Sequence, residues 1–182
     1  MGLLIGGVAL WYLGHFFKRL LPGVRANLGD AGKGVSATLI GVGLLLMIFG
    51  YRGVESSFVY APPVWGLHLN NLLMIFAVIL LGMGSSKGKA RSWLRHPMLT
   101  GVLVWAIAHL LVNGDSASLV LFGGLAVWSV LEMIIINLTE PGWERPEPGP
   151  ISGDIRLLVI GLVLYAIIVG IHTWLGYYPF PG

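Results

Sequence analysis

Five histidines stand in a 182-residue chain that has no cysteine and only 10% charged residues. Imidazole is the side chain best suited to ligate a metal or to move a proton near neutral pH. With no thiol present, disulfides, thiolate metal ligands, iron–sulfur clusters and covalent haem attachment through a CxxCH motif are excluded. Any metal or haem must be held by His, Met, carboxylate or backbone groups. His15 lies near the end of an apolar run, just before Lys18 and Arg19. His96 follows Arg95 at the mouth of another run, and His109 lies deep in that same run. His68 and His172 fall near the ends of two more. A polar group inside a membrane-spanning helix is costly unless paired, so each histidine is a site candidate.

Spacing decides which of them can meet. On a helix, His96 and His109 are separated by about 220° of rotation and do not share a face. His15 and His109 differ by only about 9 Å in estimated depth. Two imidazoles so placed can approach one iron from opposite sides, the arrangement of a six-coordinate haem b in a helical bundle. The plain structural reading is that each histidine is a polar side chain satisfied by a neighbour, and it weighs most for His68 and His172 at the interface. Met47, Met74, Met98 and Met133 read as packing. Glu132 is the one acid within an apolar run; its plain role is to snorkel to the interface. Its functional alternatives are a partner for Arg95 or His96, or a contact to a cofactor. Asn70 and Asn71 read as hydrogen-bonding groups between helices.

These residues need elements to hold them, and composition says which. Hydrophobic residues make up 56% of the chain and the mean hydropathy is +0.84, outside the range of a soluble domain. A crossing helix needs about 20 mostly apolar residues. Six runs qualify or nearly so: Gly2–Leu21, Gly34–Tyr51, Val64–Met83, Pro97–Val112, Ser116–Leu138 and Ile155–Leu175. The fourth is short, and Trp93 marks an earlier possible start. Pro22 with Gly23 ends the first, Pro97 suits a first helical turn, and Asn113–Ser116 reads as a tight turn with Ser116 as the cap. The expected fold is an all-α, six-helix polytopic bundle forming a single transmembrane domain over residues 1–182.

Ten of the eleven basic residues fall in three stretches: Lys18 to Lys33, Lys87 to Arg95, and Arg145 with Arg156. Cytoplasmic loops carry the excess of Lys and Arg, so both termini are expected on the non-cytoplasmic side. The first run has no basic residue before it and reads as a retained helix rather than a cleaved signal. Tyr51, Tyr60, Trp65, Trp174, Tyr177 and Tyr178 then form an outer aromatic belt, and 139–154, rich in Pro and Gly, is an irregular cytoplasmic loop. The net charge of +3 is placed for lipid headgroups and topology, not for nucleic acid.

Two stretches, GHFFKRLLPGVRANLGDAGKG (Gly14–Gly34) and RHPMLTGVLVWAIAHLLVNGD (Arg95–Asp115), resemble the NnrU family of bacterial membrane proteins. That family is similar to 15-cis-zeta-carotene isomerase, an integral membrane enzyme with a histidine-ligated haem b. The resemblance implies His15 and His109 as haem ligands and places family histidines at His68 and His96. A further isomerase histidine falls near Tyr51, and the basic end after the fifth helix is replaced by IIINLTEPGW (Ile134–Trp143). His172 has no counterpart there. The family association implies a redox-linked or accessory role in nitrite and nitric oxide metabolism in the bacterial inner membrane, with a redox partner. The isomerase implies chemistry on a hydrophobic small molecule, a polyene lipid.

Two other classes remain open. RHPxxxG also resembles the isoprenylcysteine carboxyl methyltransferases, in which case Arg95, His96 and Glu132 would clamp the methionine end of S-adenosylmethionine. Met98 stands where that family has tyrosine, and the paired acids are missing. The third class is a cofactor-free assembly subunit whose histidines only bond between helices.

Overall fold

The computed structural model describes residues 1–180 and is all-helical. Seven α-helices are formed among the described residues: α1 (Gly2–Leu20), α2 (Pro22–Asn27), α3 (Ala31–Gly53), α4 (Gly66–Met83), α5 (Pro97–Leu110), α6 (Ser116–Thr139) and α7 (Ile151–Trp174). Four of them, α3, α4, α6 and α7, are long and apolar enough to cross a membrane. α5 has 14 residues, and α1 has 19, ending in Lys18 and Arg19. α7 shows why lipid must be the solvent: its mean hydropathy is 2.3, yet only 6% of its apolar window is buried inside the protein. A helix so uniformly apolar needs a hydrocarbon environment.

The helix limits depart from the sequence expectation in instructive ways. Pro22 does end α1, but it then occupies the first turn of the short helix α2, where a missing N–H is harmless. α3 begins at Ala31, after Gly29 adopts a left-handed φ of 51°. α7 begins at Ile151, so Asp154 lies inside its first turn. The stretch before α5 does not extend that helix: Ala90–Ser92 is a separate 3₁₀ turn. The cap of α6 is Asp115, not Ser116. The Asp115 carboxylate accepts from the Ala117 and Ser118 backbone N–H groups, and the carboxylate is the better acceptor. Residues 140–150 are irregular, as expected.

The chain forms two compact units. The first comprises Met1–Ala61 and Asn113–Pro141, hence α1, α2, α3 and α6. Here α1 and α3 pack antiparallel through glycines. A Cβ on Gly7 would stand 2.7 Å from the Met47 backbone nitrogen, and one on Gly50 would stand 2.6 Å from that of Leu4. Gly7 and Gly14 are two turns apart, as are Gly43 and Gly50, so each pair shares one face. Small residues let membrane helices approach closely enough for dispersion contacts to hold them. α6 runs parallel to α1, with Gly124 against Val8 and Glu132 against Arg19. α6 contains a π turn over Leu119–Gly123, and just beyond it the Gly124 carbonyl accepts from the Tyr12 hydroxyl at 2.6 Å. The segment after α3 is stitched to the turn before α6: Val59 and Tyr60 N–H donate to Gly114 O, and Ser116 N–H to Ser57 O.

The second unit comprises residues 62–112 and 142–182, of which 181 and 182 lie outside the described residues. α4 packs antiparallel against both α5 and α7. Gly101 of α5 sits against Ala77 and Leu81, and Gly161 of α7 against Ile79. The loop after α4 is tied to the start of α7, where the Asp154 carboxylate accepts from Lys89 and Ala90 N–H, both at 2.9 Å. At the other end, Asn71 donates to Pro179 O at 2.7 Å and Asn70 to Asn71 at 3.1 Å.

Candidate functional site

In the first unit, the spacing Trp11–His15–Arg19 places three side chains on one face of α1, four residues apart each time. α6 brings Trp128 and Glu132 to that face by the same spacing. The three rings form a cluster: His15 lies 4.4 Å from Trp11 and 4.6 Å from Trp128, centroid to centroid, and the two indoles meet edge-on at 5.3 Å. His15 Nδ1 is 2.9 Å from the Trp11 carbonyl oxygen. A carbonyl can only accept, so Nδ1 carries the proton, and Nε2 of the neutral ring keeps its lone pair.

Below the rings, Arg19 Nη1 donates to Glu132 Oε1 at 2.6 Å. Glu132 is 4% exposed, so it does not snorkel. It is an internal anion whose partner is Arg19. Glu140 lies 3.5 Å from Arg19 and 3.7 Å from Lys18 at the rim. Four buried polar atoms of this cluster have no hydrogen-bond partner among the described residues: Trp11 Nε1, Trp128 Nε1, Arg19 Nε and Glu132 Oε2. Native proteins leave few such groups, and each unmet one costs about 1–3 kcal/mol. Three donors and one acceptor beside an imidazole lone pair are suited to receive a polar or anionic group.

An apolar groove of about 690 Å³ runs along the same unit, lined by Ile5, Val8, Tyr12 and Phe16 of α1 with Leu39 and Val120. Its walls suit an acyl or polyene chain.

In the second unit, His109 repeats the His15 arrangement. Its Nδ1 is 2.9 Å from the Trp105 carbonyl oxygen, and the Trp105 ring lies 5.0 Å away. Trp-x-x-x-His therefore occurs twice with the same internal hydrogen bond, a pairing the i, i+4 spacing of tryptophan and histidine would have revealed in the sequence. His172 also donates from Nδ1, to Ile168 O at 2.8 Å, and lies within electrostatic range of His109. His96 is the N-terminal cap residue of α5, and its carbonyl accepts from both Thr100 N and Thr100 Oγ1 at 2.9 Å. Arg95 is half-buried beside it, and His68 is exposed on α4. The structure thus gathers His15 with Arg19 and Glu132 in the first unit, and holds Arg95, His96, His68, His109 and His172 in the second. Among the described residues no three His, Asp or Glu side chains converge as a metal cluster.

These features define a multi-pass helical membrane protein with buried histidines on apolar helices. The NnrU protein family matches residues 3–179, nearly the whole chain, and the protein belongs to that family. No curated protein and no solved structure matches it.

Proposed function

We propose that the protein binds haem b and acts as a redox-linked or accessory factor in nitrite and nitric oxide metabolism. The observation that carries the reading is the paired Trp-x-x-x-His arrangement at His15 and His109. A histidine whose Nδ1–H is held by a backbone carbonyl presents Nε2 in the tautomer and orientation that ligates iron. The buried, partnerless donors beside His15 fit the group as well, since Trp11 Nε1, Trp128 Nε1 and Arg19 Nε could receive propionate oxygens. Haem, when bound, supplies a one-electron iron centre whose potential is tuned by axial ligands and burial. The chain's own residues fix the imidazole tautomers, exclude water with edge-on indoles and hold a buried cation–anion pair beside the site. The nitrogen-oxide role and the inner-membrane location rest on family membership. Isomerisation of a polyene lipid is the related enzymatic version, favoured by the apolar groove along α1.

The proposal includes six crossings with both termini outside the cytoplasm. The sidedness rests on the basic loops, and helix directions support the six crossings, because α1 runs parallel to α6 and antiparallel to α3, and α4 runs antiparallel to α5 and α7. Those are the senses that six alternating crossings require.

The test is the visible spectrum of protein purified from haem-supplied cells. A Soret band that shifts on reduction is expected, lost in His15→Ala and in His109→Ala and kept in His68→Ala. Colourless protein, or a band indifferent to both ligand substitutions, overturns the reading. Tight S-adenosylmethionine binding by colourless protein would instead assign the methyltransferase class, with Arg95, His96 and Glu132 at its site.

A further inference from the structure

The second unit contains a cavity that the haem reading does not use. It has a volume of about 290 Å³ and lies where the loop after α4 meets the start of α7. Asp154 builds it. By accepting from Lys89 and Ala90 N–H, the carboxylate pins the loop onto the first turn of α7. Gly88, Gly149 and Gly153 let the two backbones touch there, and a side chain at any of the three would collide with the opposing strand of chain. One end of the cavity is polar, lined by Ser85, Ser86, Lys87 and Arg156, and the other is apolar, lined by Leu157 and Ile160.

The polar end has the chemistry of an anion receptor. Ser86 Oγ is buried and has no hydrogen-bond partner among the described residues, while Ser85 Oγ donates to the Gly82 carbonyl. Lys87 and Arg156 form no ion pair among the described residues. Asp154, in the same first turn of α7, offsets one of the two charges, but its oxygens are engaged by the backbone N–H groups of Lys89 and Ala90. A tetrahedral phosphate oxyanion suits two cations and a hydroxyl donor. The apolar end continues this wall along α7, one residue and one turn beyond Arg156, in the direction an acyl chain leaves its headgroup.

We infer that this cavity binds the phosphate of an anionic phospholipid, with Lys87, Arg156 and Ser86 on the headgroup and Leu157 and Ile160 along the chain. Basic pockets between membrane helices on the positively charged side are suited to such headgroups. Bound there, the lipid would clamp the loop after α4 to α7.

The experiment is native mass spectrometry of the full chain in detergent, offering phosphatidylglycerol and phosphatidylcholine of identical acyl chains in separate titrations. Roughly thirtyfold tighter retention of phosphatidylglycerol is expected, the size that two interfacial cations give. Lys87→Gln combined with Arg156→Gln should abolish the preference, and Ser86→Ala should weaken it. Lys87→Arg should retain it, which separates loss of binding from loss of fold. Lys33→Gln, remote in sequence and in the other unit, should leave it unchanged. An equal preference in the double variant, or an equal loss in Lys33→Gln, overturns the site. Thermal stabilisation by inorganic phosphate that the double variant loses, with no preference between the lipids, overturns the lipid and assigns the cavity to free phosphate.

Discussion

At the scale of single residues, the Arg19–Glu132 pair organises the first unit and was the least visible feature in the sequence. The two are 113 positions apart, and nothing local to Glu132 distinguishes Arg19 from Arg95 as its partner. Burial decides the energetics. With Arg19 18% and Glu132 6% exposed at the side chain, removing one partner leaves a poorly solvated charge. Such losses amount to about 3–5 kcal/mol, whereas replacing both partners by apolar residues of similar size is often neutral. Arg19→Ala, which leaves the buried Glu132 without its partner, is therefore expected to lower unfolding stability by about 3 kcal/mol in a detergent titration, and Arg19→Met with Glu132→Met to recover most of it. Strictly additive losses in the double variant would contradict a coupled pair. The Tyr12 hydroxyl makes a second residue-scale prediction that does not need a cofactor. Tyr12→Phe, which removes a 2.6 Å bond to Gly124 O, should cost about 1 kcal/mol in the same titration.

At the scale of elements, glycines and caps fix how helices meet. A Cβ at Gly50 would press into the Leu4 backbone, and backbone cannot yield as a flexible side chain can. Gly50→Ala should therefore cost about 1–3 kcal/mol through helix displacement. Gly41, on the same helix, has nothing within 4 Å of its would-be Cβ. Gly41→Ala should be neutral or gain up to about 1 kcal/mol in helix propensity, and paired unfolding curves distinguish the two. The α6 cap gives the pH dependence. Burial alone would raise the Asp115 carboxyl, but hydrogen bonds from Ser118, Ser56 and Ala117 favour its ionised form and hold it below the ordinary value of 3.8. Its contribution is complete above the unfolded-state value and is lost as pH falls through the lower folded-state value. Wild type should therefore lose stability below about pH 4 relative to Asp115→Asn, which keeps a capping oxygen without the titration. Parallel curves down to pH 2 would remove Asp115 from this role. The sequence pointed to the turn but chose Ser116, because a cap is a contest between adjacent acceptors that only geometry settles.

At the scale of the whole molecule, hydropathy made the helices legible, and the spacing of charges gave their expected directions. The expectation of six crossings is weakest at two segments, α5 and α1. α5, at 14 residues, spans about 21 Å against a hydrocarbon core of about 30 Å. α1 spends two of its last three positions on Lys18 and Arg19. Loop pairing bears on this directly. If only the four long helices crossed, residues 54–65 and 84–115 would lie on opposite faces of the membrane. Yet Val59 and Tyr60 bond to Gly114. Likewise 84–115 and 140–150 would be opposed, yet Lys89 and Ala90 bond to Asp154 in the adjoining first turn of α7. A crossing by α5 relieves both conflicts at once, by dividing 84–115 between the two faces. The natural absence of cysteine makes the test clean. Glu55→Cys and Glu147→Cys, both at exposed loop positions, should react with a membrane-impermeant maleimide from opposite faces, Glu55→Cys from outside intact spheroplasts and Glu147→Cys only from inverted vesicles. Four crossings would put both on the same face. Lys33→Cys should follow Glu147→Cys, and Tyr177→Cys should follow Glu55→Cys. Labelling of the Glu55 and Glu147 variants from one face would remove the α5 crossing, and with it the alternation that sets α1 and α6 in the same sense.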